Sequence, residues 1–148
     1  MSSTKMSSSK MESKKIPFIK YSFDVRQDLS RTLLERNSGH TPCIIGFSPE
    51  VGKRLGLPTN EIRILVESSL TVIELLLVVR KRVSLKPEES CFLFVCNTLV
   101  PSTWTVSYLH SKFKKRDGFL YLDLRLMETF GSSEASFTIK KFFLSLDK

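Results

Sequence analysis

The chain has 148 residues, 41% of them hydrophobic, and a formal net charge of +8. This length and composition predict one folded domain with terminal extensions. Apolar runs such as residues 75–79 are far shorter than the roughly 20 residues that a membrane-spanning helix needs. The N-terminus lacks the apolar segment of a secretory signal, so we expect a cytoplasmic protein.

The positive charge is concentrated at the N-terminus. Residues 1–22 contain five lysines and one glutamate, which is half of the net charge. Residues 1–15 are mostly Ser, Lys and Met, a low-complexity composition that predicts disorder, so we expect residues 1–22 to be mostly disordered. A basic tail argues only weakly for anionic membranes or nucleic acid, and no specific nucleic-acid partner is predicted.

Catalytic and metal-binding patterns are missing from the sequence. It contains no GxGxxG, P-loop, HExxH or CxxC motif. Cys43, Cys91 and Cys96 form an odd set without metal-ligand spacing, which predicts reduced thiols in the core. We therefore expect neither enzymatic activity nor a metal or cofactor.

The N-terminal half of the chain predicts a helix and two strands. An apolar segment at residues 16–19 is expected to dock on the domain, as a short helix after Pro17. Ser22 or Asp24 then caps a helix that continues to about residue 37. Apolar runs predict strands at residues 41–47 and 61–67. The two prolines and two glycines between them predict a loop over residues 48–60.

In the C-terminal half, Thr71 is expected to cap a helix that ends at residue 82. A turn or short helix at 86–89, a buried strand at 91–95, and a turn at 96–98 follow. A short helix is predicted from Thr103 or Thr105 to residue 113. After a turn at residues 117–118, a strand is predicted over 119–127, with the leucines at 120, 122, 124 and 126 facing the core. This strand runs out to Gly131, which precedes a tail at 132–148.

The order helix, strand, strand, helix, strand, short helix, strand is typical of the β-grasp. The predicted fold class is therefore α+β, with a mixed four-stranded sheet wrapped on one helix and an N-terminal helical extension.

Seven short segments, in order and at matching spacing, resemble one family. They are TPCII at 41–45, LV at 65–66, LTV at 70–72, RKR at 80–82, FLFV at 92–95, DGFLY at 117–121 and ETFG at 128–131. Over residues 23–131 the chain is similar to the autophagy ubiquitin-like modifiers, the group of GABARAP and microtubule-associated protein light chain three.

The resemblance implies a ubiquitin-like domain at 23–131 and a specific processing route. A cysteine protease would cut between Gly131 and Ser132 and remove residues 132–148. Activating and conjugating enzymes would then transfer Gly131 to phosphatidylethanolamine, which places the protein on the autophagosome membrane. Receptors with short linear motifs, and microtubules, are the implied partners.

The resemblance also implies a surface that binds aromatic-x-x-aliphatic peptides beside the second strand, by β-augmentation. This surface requires that strand to be an edge of the sheet. Arg63 and Arg26 would pair with acidic residues of the ligand. A first pocket would be lined by Leu33, Pro42, Ile44, Leu65 and Phe119, with Arg63 at its edge. A second pocket would be lined by Ile64, Val66, Leu70, Leu75 and Val78.

Some positions depart from the family pattern or allow two interpretations. Glu61, Ile64 and Glu67 replace the residues usual in the family, which predicts altered partner choice. Arg80 is either a contact for the protease or membrane, or part of a solvated helix end.

Two other functions remain open from the sequence. One is a non-conjugated β-grasp adaptor whose C-terminal tail stays on and packs against the fold. Residues 143–146 of that tail themselves fit aromatic-x-x-aliphatic. The other is a cytoskeletal or nucleic-acid binder that uses the basic N-terminus.

Overall fold

The computed structural model describes residues 16–127. Residues 1–15 lie outside the described part of the chain. So do Gly131 with its predicted cleavage site and the tail at 132–148. The helices are a 3-10 helix at Phe18–Lys20, α1 at Phe23–Arg36, α2 at Pro49–Arg54, α3 at Val72–Arg82 and α4 at Val106–Phe113. The strands are β1 at His40–Gly46, β2 at Glu61–Glu67, β3 at Ser90–Val95, β4 at Thr98–Leu99 and β5 at Leu120–Met127.

The strands form one mixed sheet in the order β2-β1-β5-β3-β4. The central pair β1 and β5 is parallel, and the other pairs are antiparallel. The α+β prediction and the N-terminal helical part are confirmed. The prediction of four strands is wrong by one, because the short β4 also pairs with β3. Cys96 and Asn97, both with positive φ, form the two-residue turn of this hairpin.

Side-chain caps fix where the helices begin. Ser22 caps α1 and Thr105 caps α4, each accepting a backbone N–H of the first turn. Thr71 and Glu74 form a reciprocal capping box at the start of α3. The predicted cap Thr71 is confirmed, and of the predicted alternatives the caps are Ser22 and Thr105, not Asp24 and Thr103.

Residues 48–60 do not form a simple loop as predicted. The Ser48 hydroxyl accepts the Val51 N–H, and Pro49 stands in the first turn of α2. Proline is favoured there because the N–H that it lacks has no partner within the helix. Pro49 therefore starts a helix and does not break one.

The two faces of the sheet are covered by different helices. The inner face, with Leu120, Leu122 and Leu124, packs in one large core cluster with residues of α3 and α4. A smaller cluster on the outer face contains Phe18, Ile44 and Phe119. Leu126 is only half-buried, so the predicted leucine face reaches the core through its first three members.

The three cysteines do not share one environment. Cys43 and Cys91 are buried and free, as predicted, and burial raises the pKa of Cys43 to about 12. Cys96 is exposed in the β3–β4 turn, so its predicted place in the core is wrong. Within residues 16–127, no helix is long and apolar enough to cross a membrane.

Candidate functional site

Strand β2 lies at one edge of the sheet. It pairs with β1 on one side, and no other strand of the described residues pairs with its second side. Its free edge therefore offers backbone N–H and C=O groups to an added strand. Side chains along a strand alternate between faces, so Arg63 and Leu65 share the outer face, and Ile64 and Val66 the inner face.

The predicted first pocket maps to the outer face beneath α1. Pro42 lies opposite Leu65, and Ile44 lies opposite Arg63. Pro42, Ile44 and Phe119 are buried, whereas Leu33 and Leu65 are half-buried. Leu33 packs against the cluster that contains Ile44 and Phe119.

Phe18 occupies this part of the outer face. Its side chain is only 3% exposed. The ring contacts Phe119 edge-on, with the ring centroids 4.7 Å apart, and packs in the same cluster as Ile44. The predicted docking of residues 16–19 and the short helix after Pro17 are thus confirmed, but no pattern in the sequence indicates where Phe18 binds.

Two charged side chains of β2 hold the docked segment. Both carboxylate oxygens of Glu61 accept the Phe18 N–H, at 3.1 and 3.2 Å. Arg63 donates from Nε to Glu61 at 2.6 Å and from Nη2 to the Ile16 carbonyl at 2.5 Å. Its guanidinium also lies 5.3 Å from the Phe18 ring centroid. Arg63 therefore lies beside Phe18 and opposite Ile44, and Glu61 is already paired.

Arg26 is used inside the protein. It pairs with the buried carboxylate of Asp117 at 2.7 Å and donates from Nε to the Tyr21 carbonyl. Tyr121 donates its hydroxyl proton to Asp117 at 2.6 Å, and the Phe119 N–H donates to the same carboxylate. Burial, with the hydrogen bond to Asp117, raises the pKa of Tyr121 to about 12. Arg26 thus ties α1 to the start of β5, and an acidic ligand would have to compete with Asp117 for this guanidinium.

The predicted second pocket lies between β2 and α3 and is uneven in exposure. Val66 and Leu75 are buried in the core, so they offer little area to a ligand. Ile64 and Leu70 are partly buried against that core, and Val78 is 38% exposed. Ile73 and Leu77 add exposed apolar surface on α3, and neither is among the residues predicted to line the pocket. In the sequence, the four-residue spacing of Ile73 and Leu77 indicates that they share one face of the helix, so this apolar surface could have been predicted.

Arg80 and Glu67 have different surroundings. Arg80 donates to the backbone carbonyls of Lys86, Pro87 and Glu89, at 2.5 to 3.4 Å. It therefore holds the α3–β3 loop and is half-buried, so the description of a solvated helix end fits only Lys81 and Arg82, which are exposed. Glu67 is exposed at the end of β2, opposite His40, where a bound peptide would meet its charge. Among the described residues, no group of three His, Cys, Asp or Glu side chains is arranged to hold a metal.

Comparison with known proteins gives one consistent result. The family model "Autophagy protein Atg8 ubiquitin like" matches residues 25–131. The chain is 35% identical to autophagy-related protein 8 of Vanderwaltozyma polyspora, over 76% of this chain and 92% of that protein. It is 34% identical to autophagy-related protein 8A of Oryza sativa subsp. indica, over 78% and 94%. The crystal structure of Trypanosoma brucei ATG8 matches with a TM-score of 0.66 and 30% identity, over 77% of this chain and 96% of that one.

Proposed function

Because the chain belongs to the Atg8 family of ubiquitin-like autophagy proteins, we propose that it is conjugated through Gly131 to phosphatidylethanolamine. A cysteine protease first removes residues 132–148, and activating and conjugating enzymes then carry the Gly131 carboxyl as a thioester. The observation that carries this proposal is the family match, which ends at residue 131, a glycine. The protein supplies the acyl group, and the partner enzymes supply the catalysis.

The position of Gly131 fits this chemistry. β5 is anchored between β1 and β3 and ends at Met127, four residues before Gly131. Glycine lacks a Cβ, so its backbone can approach the catalytic groups of a protease or an activating enzyme closely. The lipid would hold the domain on the autophagosome membrane, while the unconjugated protein would remain in the cytoplasm.

We propose that the conjugated protein recruits receptors through the free edge of β2. An extended peptide would pair with this edge and place its aromatic side chain on the outer face, near Ile44 and Phe119. Its aliphatic side chain would lie near Ile64, Leu70 and Val78. Arg63 at the pocket edge favours a ligand with acidic residues beside the aromatic one, whereas the exposed Glu67 disfavours acids near the aliphatic one.

Conjugation is tested by reconstitution. The chain ending at Gly131, incubated with Atg8-activating and Atg8-conjugating enzymes, ATP and vesicles containing phosphatidylethanolamine, is expected to give a lipid adduct by mass spectrometry. Gly131→Ala, in the same truncated chain, is expected to give none or a trace. A full-length chain that is never cleaved by an Atg8 protease, together with a truncated chain that forms no thioester, would contradict the proposal.

A further inference from the structure

We propose that Phe18 is a built-in competitor for the aromatic residue of the receptor peptide. This inference rests on the proposed peptide-binding function of β2. Phe18 packs with Ile44 and Phe119, and Leu33 packs against the same cluster. Those three residues are members of the predicted first pocket. Phe18 and the aromatic side chain of a ligand therefore require the same volume.

The polar contacts of the docked segment use the residues that a ligand would need. Glu61 accepts the Phe18 N–H, and Arg63 donates to the Ile16 carbonyl. The Arg63 guanidinium also lies over the rings of Phe18 and Tyr21, at 5.3 and 5.8 Å from their centroids. An acidic peptide that pairs with Arg63 must displace these contacts as well as the Phe18 ring.

The docked segment is attached in a way that allows release. Phe18 is its one buried side chain within residues 16–21, whereas Ile16, Ile19 and Tyr21 are exposed. The 3-10 helix has three residues, and its N-cap residue Pro17 makes no side-chain hydrogen bond. Phe18 belongs to the small outer cluster and not to the large core cluster. Undocking therefore leaves the core between the sheet and α3 intact.

The competition has a measurable consequence. If the undocked state makes up about 1–10% of the population, the apparent affinity for a peptide falls to that fraction of the affinity of the undocked state. Phe18→Ala in the full-length chain is therefore expected to bind about 10–100-fold more tightly than the natural chain. The probe is a fluorescein-labelled peptide with a tryptophan-x-x-leucine core preceded by glutamates, measured by fluorescence anisotropy.

Ile19→Ala is the matched control. Ile19 lies in the same 3-10 helix but is 58% exposed, so its truncation is expected to leave the affinity unchanged. Equal affinity of the natural chain and Phe18→Ala would overturn the competition and leave peptide binding by β2 standing. Weaker binding by a folded Phe18→Ala would overturn it too, because Phe18 would then be part of the binding platform. Absence of binding by every variant would overturn both proposals.

A second measurement uses only the natural chain. The Phe18 amide is hydrogen-bonded to Glu61 in the free protein, and its exchange with solvent can be followed by NMR. Saturation with the peptide is expected to accelerate this exchange, because the segment must leave β2. Unchanged exchange of the Phe18 amide in the peptide complex would overturn the inference.

Discussion

Asp117→Ala is expected to lower the free energy of unfolding by about 3 kcal/mol, the lower end of the range for breaking a buried ion pair. Asp117 is 1% exposed and accepts hydrogen bonds from Arg26, Tyr121 and the Phe119 backbone. Alanine leaves these donors without their acceptor. The lower end of the range applies because the Arg26 side chain keeps some access to water, at 14% exposure. Urea unfolding measured by circular dichroism gives the value.

Asp28→Ala is the control for this prediction. Asp28 pairs with Arg31 on the surface of α1, and both side chains are more than half exposed. Exposed pairs of this kind contribute little, because water screens them and ordering the side chains costs entropy. Its stability is therefore expected to match that of the natural chain. If Asp117→Ala were no more destabilising than Asp28→Ala, the pair with Arg26 would not hold α1 on the sheet.

Gly118→Ala is expected to be destabilising by about 2–4 kcal/mol, for two reasons that add. Gly118 has φ +94°, a conformation that L side chains rarely adopt. A Cβ at this position would also lie 2.1 Å from the hydroxyl oxygen of Ser30, which is buried in α1. The Gly118 carbonyl is further held by His110 Nε2 at 2.8 Å, so the turn has little room to move.

Gly39→Ala separates backbone strain from the clash. Gly39 has φ +78°, but no atom lies within 4 Å of the Cβ that alanine would add. It is therefore expected to lose about 1–2 kcal/mol from backbone strain alone. Equal losses for the two variants, in the same urea experiment, would show that α1 does not pack closely on Gly118.

Local signals in the sequence predicted most of the elements. The strand at 61–67 and the helix capped by Thr71 have the predicted bounds, because alternation and side-chain caps act within a few residues. β4 escaped prediction because two residues cannot display a period. α2 escaped prediction because proline marks both loops and first helical turns, and only the cap by Ser48 distinguishes the two at Pro49.

The candidate site depends on contacts between distant segments, which local patterns do not encode. Phe18 meets Glu61 across 43 positions, and Arg26 meets Asp117 across 91. The sequence identified Phe18 as apolar and Arg26 as basic, but the partner of each is decided by the topology that places α1 and the 3-10 helix over the outer face. The resemblance named the pocket residues, and it could not indicate that this chain brings its own aromatic residue to them.

The occupied pocket and the anchored C-terminal strand fit one sequence of events. Conjugation through Gly131 would place the domain on a membrane, and a receptor would then compete with Phe18 for the outer face. Segment 16–21 would thereby restrict binding to receptors that engage both Arg63 and the pocket. Weaker receptors would bind only where a membrane concentrates them.

Conjugation through Gly131 is tested most directly by the mass of the C-terminal peptide of the protein isolated from the membrane fraction of starved cells. The expected peptide ends at Gly131 and carries phosphatidylethanolamine, and cells that express Gly131→Ala yield only the chain that still ends at Lys148. A membrane-associated natural protein that retains Lys148, with the same distribution for Gly131→Ala, would contradict conjugation and favour an adaptor that keeps its tail.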